Sequence, residues 1–154
     1  MTSRVEAVLS AVLDNHMRYA RSSEEITALV RQAVDVVHPD WPTLLYLWDR
    51  PCTSEEDDGE EGYPGHQLKV STDPANGWGA LHFITENPDA VQAWETLNPE
   101  PSDAAPELLF DAAADSVFGR EAALPIETIR VAVTEFVATG QRPESVRWQP
   151  SMRV

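Results

Sequence analysis

Cysteine is nearly missing: Cys52 is the only one in 154 residues, so no internal disulfide is available. That usage fits a reducing compartment. No run of about 20 apolar residues occurs, so no helical membrane span is expected. The opening MTSRVEAVLS lacks the basic start and long apolar block of a secretory signal, and a cytoplasmic location is the expectation. Cations are scarce, with 11 Lys+Arg against 26 Asp+Glu and a net charge of −15. Phosphate repulsion then argues against direct nucleic-acid binding. A partner with a basic surface is the natural complement, because opposite fields speed encounter. Glycine is outnumbered, 7 against 12 prolines. Such a ratio suggests short elements joined by stiff loops rather than a long helical bundle.

Catalytic signatures are missing too. There is no G-x-x-x-x-G-K-[ST] or G-x-G-x-x-G phosphate loop and no G-x-S-x-G elbow. His16, His38, His66, His82 and Cys52 show none of the paired spacings of a metal site. The acids around Cys52 disfavour its thiolate. No enzyme activity, cofactor or metal is expected.

What is present suffices for one domain. Hydrophobic residues make up 42% of the chain, with five Trp, three Tyr and four Phe. A chain of this length buries about 68–70% of its unfolded surface. Ser22 followed by Glu25 forms a capping box, and Ile26, Leu29, Val30, Ala33, Val34 and Val37 follow at helical spacing, which predicts a helix over 23–37. Thr43 to Trp48, between Pro42 and Pro51, reads as a buried strand. Val5, Val8, Leu9, Val12, Leu13 and Met17 fit a helical stripe, which periodicity slightly favours, although the same residues could form two strands around an Asp14-Asn15 turn.

Residues 67–71 and 78–84 read as a hairpin around the turn residues 73–77. Residues 86–106 are rich in Pro, Asn, Asp and Glu and predict irregular structure with at most one short strand or helical turn. Leu108 to Phe110 and Ser116 to Phe118 suggest two short strands. Pro125 opens a second helix in its first turn, Gly140 closes it, and Val146 to Trp148 reads as a last strand.

The segment 51–65 is the sharpest change in composition. Glu55, Glu56, Asp57, Asp58, Glu60 and Glu61 place six carboxylates in seven positions, which predicts an exposed, mobile loop. These acids are candidates for partner binding by mimicry of phosphate. Trp41, Tyr63 and Trp94, in loop-like sequence, are the candidate aromatic anchors.

The C-terminal string has further content. Leu124-Pro125, Glu135-Phe136, Thr139-Gly140, Arg142-Pro143 and Val146-x-Trp148 form an L-P, helix, E-F, T-G-x-R-P and V-x-W series. This series resembles the ending of immunity protein family 1 of bacterial polymorphic toxin systems. Gly77 to Leu81 looks like that family's middle hairpin, and the 23–37 helix followed by Pro42-Thr43-Leu44 looks like its N-terminal half. The resemblance implies a single α+β domain with a mainly antiparallel sheet, two main helices packed on it, and a hairpin over residues 4–20. It also implies a function: binding a cognate toxin inside the producing cell and blocking its active site, nucleic-acid deaminases being among the targets. The alternative is an acidic adaptor or chaperone-like protein for a basic, non-toxin partner. Monomer and homodimer both remain open.

Overall fold

The computed structural model describes residues 7–53, 62–87 and 90–153. Strands β1 (Val8–Leu13) and β2 (His16–Ala20) form an antiparallel hairpin. Its two-residue turn, Asp14-Asn15, takes φ of 51° and 67°. Asp and Asn tolerate this left-handed region, and such a turn matches the twist of the strands it joins. The hairpin reading therefore holds over the helical one. The apolar pattern misled because Val8, Leu9, Ser10 and Ala11 are all buried, so β1 shows no alternation.

Helix α1 (Ser23–Asp35) starts on the expected capping box: Ser22 Oγ accepts from the Glu25 amide, and Glu25 Oε1 accepts from the Ser22 amide, both at 3.1 Å. It stops two residues earlier than the spacing predicts, since Val36 is already extended. The chain continues through β3 (Thr43–Trp48), β4 (His66–Asp73), β5 (Trp78–Asn87) and β6 (Ala90–Leu97). The short strands β7 (Leu109–Asp111) and β8 (Ser116–Val117) pair with each other. A 3₁₀ turn (Arg120–Ala122), β9 (Leu124–Pro125), α2 (Ile126–Thr139) and β10 (Arg147–Pro150) complete the order.

Among the described residues, one sheet runs β10-β6-β5-β4-β3-β1-β2, every neighbouring pair antiparallel, and β9 pairs separately with β5. This is an α+β fold with a large antiparallel sheet and two helices. The eight-residue β6 corrects the expectation for 86–106. Its strand character comes from pairing with β5 on one side and β10 on the other, not from local propensity. Pro125 caps α2 rather than sitting inside its first turn. Gly140 ends α2 at φ 69°, a left-handed backbone glycine adopts without strain, and donates its amide to Phe136 O at 2.7 Å.

Both helices cover one face of the sheet. Leu9, Ala11, Leu45, Leu68, Val70, Leu81 and Phe83 form one buried core with Val34, Ile129, Val133 and Phe136 of the helices. Arg130 on α2 pairs with Asp35 on α1 and Glu127 on its own helix. Strand side chains alternate, so Ser10, Tyr46, Lys69, Ala80 and His82 belong to the opposite face. A second, smaller core covers part of that face, where Leu108, Phe110 and Phe118 pack with Ala80, Ala122 and Ala123.

Candidate functional site

The face turned away from the helices has a closed part and an open part. In the closed part, the Phe110 ring is stacked between two cations. Lys69 Nζ lies 3.9 Å from its centre and the Arg153 guanidinium carbon 3.8 Å. The His82 ring meets its edge at 4.9 Å. His82 is wholly buried. Its Nε2 lies 2.9 Å from the Arg153 carbonyl oxygen, an acceptor only, so Nε2 carries the proton and Nδ1 is the bare nitrogen, without a hydrogen-bond partner among the described residues. Burial, opposed by that hydrogen bond and aided by the charges of Lys69 and Arg153, pushes the His82 pKa down to about 4. Burial also lowers the Lys69 pKa, against the pull of Asp111. Arg153 reaches Glu95 at 3.4 Å and the Val117 carbonyl at 3.0 Å, fastening the end of the chain across this layer. Apart from His82 Nδ1, these groups hold one another in a half-buried layer, which suits a structural role.

The open part is a cleft of about 510 Å³, lined by Tyr46, Tyr63, Gln67, Ile84, Glu86 and Val91 among others. Gln67 pairs with Ile84 across β4 and β5 and donates its side-chain amide to Tyr46 Oη at 2.7 Å. The Tyr46 and Tyr63 rings stand 5.1 Å apart, tilted by 57°. Gly65 sits where a Cβ would lie 2.6 Å from Glu86 O, so only glycine allows this wall to close on β5. Val91 is 47% exposed at the rim. Paired aromatic rings and aliphatic surface beside the Glu86 carboxylate, in an open concavity, are a composition that can receive protein side chains.

Residues 51–53 lead into this region. The Cys52 amide donates to Ser10 Oγ at 3.1 Å, and Tyr19 Oη donates to the Cys52 carbonyl at 2.7 Å. Cys52 is free and fully buried, and burial pushes its thiol pKa up. The direction is the one the sequence led us to expect, and burial is its largest cause among the described residues. Thr53 and Gly62 then exchange two backbone hydrogen bonds, each 3.0 Å, one residue before Tyr63. Glu55, Glu56, Asp57, Asp58, Glu60 and Glu61 lie outside the described residues.

The three aromatic anchors named from sequence do not come together. Tyr63 lines the cleft. Trp41, 40% exposed, lies two residues before β3, at the other end of that strand from Tyr63. Trp94 sits on β6 and packs against Phe83 on the helix side, lining a separate concavity with Arg142 and Trp148. Sequence reading missed Tyr46, Gln67, Ile84 and Val91. Their grouping needs the register of four strands, and β6 was not recognised as one. Among the described residues no group of three His, Cys, Asp or Glu side chains is placed to hold a metal ion, and no helix is long and apolar enough to cross a membrane.

No curated protein matches the chain. The family model described as Immunity protein Imm1 matches residues 14–150, most of the 154, and the chain belongs to that family.

Proposed function

From membership of the Imm1 immunity protein family, we propose that the chain neutralises its cognate toxin by docking over the toxin's active site through the open cleft around Tyr46 and Tyr63. Membership itself implies a toxin partner. The observation that carries the finer reading is the placement of this cleft. It is the concave part of a sheet face that no other described element covers, and Tyr63 lies two residues beyond the six-carboxylate segment 55–61 in sequence. Aromatic anchors in a concavity supply affinity, and a nearby field of acids supplies speed and partner choice.

The toxin this arrangement suits has a basic groove, as a nucleic-acid-directed enzyme does. Glu55 to Glu61 and the net charge of −15 occupy such a groove in place of phosphate. Inhibition then needs no chemistry from this chain, only a surface that excludes substrate.

The test is rescue of cells expressing the toxin domain encoded beside this gene, with the complex titrated in parallel. Val91→Arg places a long cation on the exposed rim of the cleft. Val131→Arg makes the same change on α2, at a site 57% exposed on the opposite side of the sheet. Val91→Arg should weaken binding by about tenfold or more and abolish rescue, while Val131→Arg leaves both intact. Equal protection by the two variants would remove the cleft from the reading.

A further inference from the structure

The T-G-x-R-P string is only partly accounted for by the turn it makes. Gly140 supplies the left-handed residue, and Pro143 is buried. The Glu135 carboxylate accepts from the Glu144 and Ser145 amides, and the Trp148 indole N–H donates to the Pro143 carbonyl at 2.7 Å. These contacts hold the turn without the Arg142 side chain, which is exposed.

Arg50, Arg120, Arg130 and Arg153 each meet a carboxylate. Arg142 meets two indoles instead. Its guanidinium carbon lies 4.6 Å from the Trp94 ring centre and 6.0 Å from that of Trp148, and it forms no ion pair with any described carboxylate. Stacking occupies the faces of a guanidinium and leaves its in-plane N–H edges free for a two-point contact with a carboxylate. The stacked side chain has already given up much of its rotamer freedom, so less is lost on binding. The surrounding concavity, about 730 Å³, also takes in Arg147, and its one carboxylate, Glu144, pairs with neither arginine.

We infer that Trp94, Arg142 and Trp148 form a receptor for a carboxylate of the toxin polypeptide, an acidic side chain or the chain terminus. This rests on the toxin-binding reading above. A phosphate polyanion is disfavoured by the charge of −15, which a single carboxylate on an otherwise basic protein escapes. The position suits one partner reaching both sites. β10 pairs with Trp94 to Leu97 and the Ser151 amide donates to Ala93 O at 2.9 Å, so among the described residues Val91, which lines the cleft on the other face of the sheet, lies just beyond the end of β10's cover of β6, three residues from Trp94. Contacts of opposite sign at the two points fix the orientation of the toxin.

Two arms test this. In the first, the toxin domain encoded beside the gene is titrated with wild type, Arg142→Gln and Arg142→Lys. Both variants should bind about tenfold or more weaker, because lysine restores charge but neither the fork nor the stacking. Their melting temperatures should stay close to wild type. Tight wild-type binding that neither variant weakens would overturn the receptor and leave the cleft reading standing. In the second arm, the isolated protein is titrated with sodium acetate and, separately, acetamide, following the Arg142 Nε–H and Trp148 indole resonances by NMR. A saturable shift with acetate alone, lost in Arg142→Lys, supports the receptor even if wild type fails to bind that toxin. No acetate shift, together with unaltered toxin binding by the variants, would reject it.

Discussion

His82 is enclosed by its neighbours: Lys69 opposite it on β4, Glu95 opposite it on β6, the Arg153 carbonyl at Nε2 and the Phe110 ring against its own. Burial, aided by the charges of Lys69 and Arg153, keeps it neutral when folded, with its pKa lowered to about 4 against an ordinary 6.5. The unfolded chain therefore binds a proton between those values that the folded chain refuses. Stability contributed by this residue is complete above pH 6.5 and declines as pH falls toward 4. The difference corresponds to about 3 kcal/mol at the acid end. Denaturant unfolding at pH 6.5 and at pH 5 should show a loss for wild type that is clearly smaller in His82→Gln, even though the variant starts less stable at pH 7. Equal losses would mean that other groups govern this window. The same residue illustrates the gap between composition and environment. In the sequence His82 is one of four histidines with no pairing signal, and its chemistry comes from being enclosed.

Local signals determine α1 and α2 more than they do the strands. The Ser22 and Glu25 capping box satisfies two amides at the start of α1 through contacts three residues apart, so sequence alone locates it. Ser22 is exposed and makes no core contact, which makes Ser22→Ala a clean measure of the cap. Loss of about 1 kcal/mol is expected, and with it a fall in Tm of about 2–4 °C. Gly140 likewise marks the end of α2 by backbone geometry alone. The strands behave differently. β4 and β5 were visible because their turn, where Asp73 O accepts from the Asn76 and Gly77 amides, is written in local residues. β6 has no such mark. Its residues Ala90, Val91 and Gln92 are exposed, and it is ordered by β5 and β10, the second of which lies 50 residues further along the chain.

In the proposed reading, the whole molecule acts through its field. A charge of −15 on 154 residues exerts long-range attraction on a basic partner, and this attraction is screened over about 10 Å at 0.1 M salt. Association with the cognate toxin should slow by about tenfold or more between roughly 10 and 200 mM salt. Replacing Glu55, Glu56, Asp57, Asp58, Glu60 and Glu61 by their amides should lower the low-salt rate and flatten that dependence, as read by stopped-flow mixing. An unchanged slope would assign the steering to acids elsewhere on the surface.

Charge, the single cysteine, the missing catalytic motifs, both helices and the C-terminal family series are properties of residues within a turn or two of each other. The sequence determined them without help. The cleft, the second core and the Arg142 stack are products of register. Tyr46, Gln67, Ile84 and Val91 share a surface only because four strands pair as they do. Trp94 meets Trp148 and Arg142 only because β10 returns to pair with β6. Side chains alternate with a period of two, so one residue of slip in any of these strands would turn the same side chains to the other face. Local sequence sets which side chains exist, and the pairing of distant strands decides which of them meet.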